Sequence, residues 1–147
     1  MTIRIAENKD APRIHELLIQ IVNHHHDLYP ERFPKDIPKY SVTEVQDLIQ
    51  NPQMTVWVYE HNEHVEGYLI GWMDGDVFFV DDICVNEAAR GLKIGHQLMA
   101  HLETQTETAP FTEVRLNVWT KNTAAINFYE KEGYEPLKYV LTKKIER

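Results

Sequence analysis

Apolar positions in this chain change period several times, and each change marks a new element. Residues 2–6 alternate and predict a strand. Ile14, Leu17, Leu18, Ile21 and Val22 then fall at helical spacing. Asp10 stands where a helix cap belongs, and Pro12 stands where the first turn tolerates proline. From His24 to Lys39 the period is lost. Pro30, Pro34 and Pro38 together with Tyr29 and Phe33 predict a loop or a broken helix extension, too apolar for a disordered linker. Ser41-x-x-Glu44 forms a capping box for a second helix with Val45, Leu48 and Ile49 inward, closed by Asn51-Pro52.

Strands follow at about 54–60, 64–73 and 77–85, separated by His61-Asn62-Glu63 and Asp74-Gly75-Asp76. Such short, turn-rich separators predict an antiparallel meander. A helix over about 92–108 buries Ile94, Leu98 and Leu102 and ends at Ala109-Pro110. A strand at 113–119 comes next, then a helix at about 122–132 stopped by Gly133, then a final strand at about 135–145. The order β-α-α-β-β-β-α-β-α-β predicts one α/β domain over residues 1–147 (α+β by order of elements). Its central mixed sheet is antiparallel early, has a parallel crossover late, and carries helices on both faces.

Composition narrows the function classes. Fifteen Lys and Arg against 23 Asp and Glu leave a formal charge of −8, the wrong sign for a general nucleic-acid binder. Cys84 is the single cysteine, so an intrachain disulfide is excluded and a reducing cytoplasm is the expected home. It sits in an apolar strand pattern and reads as a buried spacer, not a nucleophile. The first residues lack a signal-peptide core, and no apolar run approaches the roughly 20 residues that span a bilayer, so no membrane partner is expected.

Two stretches carry chemistry. Asp81-Asp-Ile-Cys-Val-Asn-Glu-Ala-Ala-Arg90-Gly-Leu-Lys-Ile-Gly95 reads as a strand running into a glycine-punctuated loop that opens a helix. Leu116-Asn-Val-Trp-x-x-Asn122-x-x-Ala125-x-x-Phe128-Tyr129-x-x-x-Gly133-Tyr134 reads as a strand, a polar gap and a short helix bearing a tyrosine. In their order and spacing these motifs resemble the GNAT-type N-acetyltransferases, and the likeness in element order covers essentially the whole chain. It is nearest to small bacterial-type members of unassigned substrate. The resemblance implies a GNAT fold, acetyl-CoA as co-substrate with no metal, and transfer of the acetyl group to a primary amine by direct attack in a ternary complex.

It also implies site residues. Arg90, Gly91, Leu92, Lys93, Ile94, Gly95 and His96 match the positions that wrap the coenzyme pyrophosphate, where a helix start offers free N–H groups and the positive end of a dipole. Lys93 departs from the family, which usually has glycine there. It either contributes a phosphate contact or strains the loop. The main chain at Ile83, Cys84 and Val85 matches the strand that pairs with pantetheine amides and polarises the thioester carbonyl. Asn122 matches a residue that bonds the pantetheine arm, and a plain helix cap is its other reading. Tyr129 matches the phenol that protonates the departing thiolate, with a stacked core tyrosine as the alternative.

An attacking amine has a pKa of about 10 in water and must lose a proton to react. Asp81 and Asp82 are the candidates to receive it, Asp81 the preferred one. Neighbouring strand residues face opposite sides, so only one is expected in the cleft. Both could instead cap strand ends or pair with basic neighbours. The acceptor side is assigned by resemblance to the early helices and their loop, implicating His25, Tyr29 and Phe33 with Asp81, and Asn117 and Trp119 across the cleft. His24, His25 and His26 make a poor metal site, since consecutive helical side chains diverge and no partner sits at ligand spacing.

Two other classes compete. A non-catalytic acyl-CoA-binding sensor or interaction module on the same fold is favoured only by Lys93. A dinucleotide oxidoreductase lacks the full Gly-x-Gly-x-x-Gly and the βαβ unit around it. The acidic balance is compatible with a small cationic amine acceptor. Dimers are frequent in the family, and the last strand is a candidate for exchange or pairing in a homodimer.

Overall fold

The computed structural model describes residues 2–105 and 110–146. Five strands form one sheet in the order β1-β2-β3-β4-β5: Thr2–Ile5, Met54–His61, His64–Asp74, Val77–Val85 and Glu113–Leu116. Pairing is antiparallel from β1 through β4, as the short turns require, and parallel between β4 and β5. Among the described residues four α-helices cover it: α1 Ala11–Leu28, α2 Val42–Gln50, α3 Ile94–Thr104 and α4 Thr123–Lys131. This is the mixed α/β architecture expected, with helices on both faces.

Each face has its own core. Ile14, Leu17, Leu18 and Val45 from α1 and α2 pack on Val56, Val58, Tyr68, Ile70 and Cys84. Ile94, Leu98, Met99 and Leu102 from α3 pack on Trp57, Tyr59, Leu69, Phe78 and Val80 on the other side, with Phe128 and Tyr129 of α4 against them. Every fully buried aliphatic side chain here contributes about 1.5–3 kcal/mol of burial.

Several boundaries differ from the expectations. Helix α1 runs through the three histidines to Leu28 and stops at Tyr29, where the prolines begin. Asp10 does not cap it with its side chain: the carboxylate instead accepts from the Arg4 guanidinium at 2.8 and 3.0 Å and from the Glu7 N–H at 2.8 Å. The capping box of α2 forms as read, with Ser41 Oγ accepting from Glu44 N–H at 3.1 Å and Ser41 N–H donating to Glu44 Oε1 at 3.0 Å. Strand β5 ends at Leu116, and α3 begins at Ile94 and ends at Thr104. The expected end of the α3 helix, at 106–108, lies outside the described residues.

The largest correction concerns the last strand. Residues 135–145 join no sheet, and all of them are exposed. Helix α4 closes with a Schellman motif, in which Tyr134 N–H donates to Tyr129 O at 2.9 Å and Gly133 N–H to Glu130 O at 3.0 Å, with Gly133 at φ 96°. The chain then leaves the body without finding a ladder of its own.

Candidate active site

A β-bulge in β4 builds the site. Ile70 pairs with Asp82 but Gly71 pairs with Val80, so Asp81 is the extra residue. A Cβ on Gly71 would stand 2.5 Å from the Phe78 ring, so only glycine fits opposite the bulge. The bulge inverts the alternation. Val80 packs toward α3, whereas Cys84, also an even residue, packs toward α1 and α2.

Asp81 and Asp82 therefore both lie on the α1/α2 side, which overturns the expectation that only one could. Asp81 accepts from Lys39 Nζ at 2.6 Å and from Tyr40 Oη at 2.7 Å, with its side chain only 8% exposed. Asp82 accepts from Tyr68 Oη at 2.8 Å. Burial pushes the Asp82 carboxyl up to about 6, opposed by the Tyr68 hydrogen bond and by Lys39, and reinforced by Asp81. Burial likewise raises Tyr40 and Tyr68, keeping both as phenols that donate.

The bulge also opens a slot. Strands β4 and β5 pair only from Val77 to Val80. Beyond it, residues 82–85 pair with β3 alone, and β5 has already ended. The β4 edge at Ile83, Cys84 and Val85 thus faces a gap instead of a strand. Gln20 fixes the end of this edge, donating to Val85 O at 2.9 Å and accepting from Glu87 N–H at 3.2 Å. Cys84 is buried, its thiol raised by burial and by Asp82, with Sγ 3.5 Å from Leu17 O. Its side chain is a packing element, and only its main chain is offered to the gap.

At the end of β4, Asn86 accepts from Ala88 N–H and starts a single 3₁₀ turn over Glu87–Ala89. Arg90, Gly91, Leu92 and Lys93 follow, all exposed, with Gly91 at φ 101°. Lys93 caps α3 in the left-handed region (φ 57°, ψ 36°), which explains why glycine suits this position. The first intrahelical bond is Gln97 N–H to Lys93 O, so the amides of Ile94, Gly95 and His96 have no intrahelical acceptor. These free amides, with the Arg90 and Lys93 cations nearby in the chain, are groups that could hold a diphosphate. Gly95 serves packing instead: a Cβ there would meet the Phe128 ring at 3.0 Å, so it lets α4 lie against α3. His96 turns aside to Glu132, 2.9 Å away.

Tyr129 is half-buried on α4, its ring 5.2 Å from Phe128 and 5.7 Å from Tyr134. Burial raises its pKa, and Asp82, then Tyr134 and Cys84, raise it further, so it stays a phenol. Asn122 caps α4, accepting from Ala125 N–H at 3.3 Å, and His24 Nε2 lies 3.3 Å from the same oxygen.

Of the residues expected on the acceptor side, His25, Tyr29, Phe33 and Trp119 form one aromatic group. Phe33 stands 4.9 Å from His25 and 5.0 Å from Trp119, and Tyr29 is 4.9 Å from Trp119. Burial, then His24, lower the His25 pKa. Tyr29 is buried, and its hydroxyl accepts from Lys121 N–H at 2.9 Å and meets Thr120 Oγ1 at 3.2 Å, tying the end of α1 to the turn before α4. Asn117 is exposed beside this group in sequence. His26 bonds Phe33 O at 2.7 Å, so the three histidines diverge, and no metal-holding cluster occurs among the described residues.

Lys39, Tyr40, Tyr68 and Gln20 were not anticipated. They act through contacts between distant parts of the chain, and no local pattern marks them.

Residues 19–134 match the acetyltransferase (GNAT) family. The chain belongs to that family. Among solved structures, a mutant of the BH1408 protein from Bacillus halodurans superposes with a TM-score of 0.91 at 22% identity, covering 99% of this chain and 100% of that one. PaiA N-acetyltransferase from Thermoplasma acidophilum, in complex with coenzyme A, gives 0.78 at 17% identity, with 91% and 89% covered. An aminoglycoside N-acetyltransferase in complex with CoA gives 0.72 at 15% identity, with 99% and 95% covered. At such identities the likeness establishes the fold. No curated protein matches the sequence. No helix of this GNAT chain is long and apolar enough to cross a membrane, among the described residues.

Proposed function

We propose that this GNAT protein moves an acetyl group from acetyl-CoA to a primary amine of a small acceptor by direct attack. One observation carries the reading: β4 and β5 part beyond the bulge at Asp81, and the bulge turns two carboxylates to one side of β4. In this reading the diphosphate rests on the amides of Ile94, Gly95 and His96 with Arg90 and Lys93, and pantetheine pairs with the free β4 edge.

The neutral amine nitrogen forms a bond to the thioester carbonyl carbon, and its surplus proton passes to Asp82, directly or through a water. As the tetrahedral adduct collapses, the C–S bond breaks and the thiolate takes the phenolic proton of Tyr129. Proton transfer from Asp82 through water restores the phenol. Asp82 suits the base better than Asp81. A carboxyl titrating at about 6 is ionised at neutral pH yet basic enough to accept, whereas Asp81 is held in an ion pair. The aromatic group of His25, Tyr29, Phe33 and Trp119 would wall the acceptor, and the Asp81/Asp82 pair favours a cationic amine.

The test is release of free thiol from acetyl-CoA against a panel of polyamines, aminoglycosides, amino acids and peptides. Turnover of a small amine supports the reading. Tight acetyl-CoA binding with no acceptor turned over makes the chain a non-catalytic acyl-CoA-binding module.

A further inference from the structure

The site already holds a primary amine. Lys39 Nζ donates to Asp81 Oδ1 at 2.6 Å, and its neighbour Tyr40 donates to the other oxygen, Oδ2, at 2.7 Å. Two adjacent residues at the end of the 29–40 loop thus grip the carboxylate of the β4 bulge. Asp82, next in the chain and on the same side of β4, is the carboxyl given the base role above. The Asp81 side chain is only 8% exposed, whereas that of Lys39 is 52% exposed. The carboxylate is covered, and the lysine keeps an open side from which another group can reach it.

Lys39 has the chemistry that the acyl-transfer reading asks of an acceptor. It is a primary amine on a flexible stem, and it is paired with an acidic residue beside the base. Lys9 and Lys121 are placed differently. Lys9 pairs with Glu7 at 3.4 Å, both side chains well exposed, and Lys121 lies over the Tyr29 ring. An amine held by the site reacts without a diffusional encounter, an advantage that free surface lysines lack.

We propose that Lys39 is an internal acceptor: with no external amine present, the protein acetylates its own Lys39 Nζ from acetyl-CoA. This inference rests on the acyl-transfer reading and gives that site a second, self-modifying outcome. The Lys39 ammonium first loses a proton to solvent. The neutral nitrogen then bonds to the thioester carbonyl carbon and passes its surplus proton to Asp82. The C–S bond breaks, and the thiolate takes the phenolic proton of Tyr129, which Asp82 returns through water. The products are an Nζ-acetyl amide and free CoA. The amide carries no charge, so Asp81 loses its cation and the acidic pair is left to a cationic acceptor.

The test uses the full chain with saturating acetyl-CoA and no added amine, sampled over time and read by peptide mass spectrometry. Lys39 is expected to gain an acetyl group at least about tenfold faster than Lys9 or Lys121. Its rate should not change when the protein is diluted. Excess desulfo-CoA, which fills the coenzyme site without an acyl group, should suppress Lys39 and spare the other two. Equal rates at the three lysines, a rate that falls on dilution, or a Lys39 rate that desulfo-CoA leaves untouched overturns the proposal. Thiol release with external amines, run in parallel, separates the two readings. A small amine turned over while Lys39 stays unmodified overturns this inference alone. Acetyl-CoA bound with neither an amine nor Lys39 acetylated overturns it together with the acyl-transfer reading.

Discussion

Asp81 and Asp82, adjacent in β4, lie on the same side of the sheet, and each accepts from a different tyrosine: Asp81 from Tyr40 at 2.7 Å and Asp82 from Tyr68 at 2.8 Å. Two carboxylates so placed cannot be equivalent. The ammonium of Lys39 balances Asp81 directly, while at Asp82 burial outweighs the Tyr68 hydrogen bond and the more distant pull of Lys39.

Asp82→Asn is expected to lower kcat/KM by roughly 10²–10⁴-fold, the usual worth of a general base. The wild-type profile should rise with pH through about 6, where Asp82 ionises, and the variant should lose that limb. An unaltered acid limb in Asp82→Asn would pass the role to another group.

The same substitution should stabilise the fold at high pH. The Asp82 carboxyl is raised from 3.8 to about 6 on folding, so the native state binds more protons than the unfolded chain between those values. Stability therefore falls as pH rises through that window and stays lower above it. Removing the charge should recover about 1–3 kcal/mol at pH 8 and little at pH 4. Urea denaturation at the two pH values measures it, and equal gains at both would refute the linkage.

Tyr129→Phe should reduce turnover by roughly 10–100-fold while leaving acetyl-CoA affinity within about twofold. Single-turnover kinetics with calorimetric binding separates the two. An equal loss in both would mean that the hydroxyl holds the coenzyme instead of donating a proton.

Lys93→Gly removes a left-handed lysine, a conformation costing about 1 kcal/mol. Thermal melts of the variant should shift upward, even after the entropy that glycine loses. Acetyl-CoA affinity should nevertheless drop about 3–10-fold as one phosphate cation is lost. Tighter binding in the variant would mark Lys93 as a defect in the cradle.

Tyr40→Phe deletes a hydrogen bond to a charged group, worth about 1.5–3 kcal/mol of stability. Because that bond ties the end of the 29–40 loop to β4, the acceptor KM should rise more than the acetyl-CoA KM. Equal changes in the two constants would place Tyr40 outside the acceptor wall.

Local chemistry was legible in the chain: the Ser41 capping box, the meander turns and the Gly133 stop all act within a few residues. The bulge was not read, because nothing within Asp81-Asp-Ile-Cys-Val distinguishes a regular strand from one that slips a residue. Its mark lay on the partner strand, where Gly71 interrupts an apolar run, a sign that a neighbour approaches closely. Lys39, Tyr40 and Tyr68 were missed because their partners are 14 to 42 residues away in the chain. For residues 135–145, alternation announced a strand, but a ladder also needs a partner edge, which alternation does not report and the described sheet does not offer them.

The Schellman closure of α4 is made on the tyrosine's own backbone. The N–H of Tyr134 is bonded to the carbonyl of Tyr129 itself. The same carbonyl also accepts from Glu132 N–H at 3.1 Å, so the backbone that carries the phenol is the acceptor that closes the helix. The stop after α4 and the placement of the residue that carries the phenol are therefore one local structure, written within Tyr129–Tyr134.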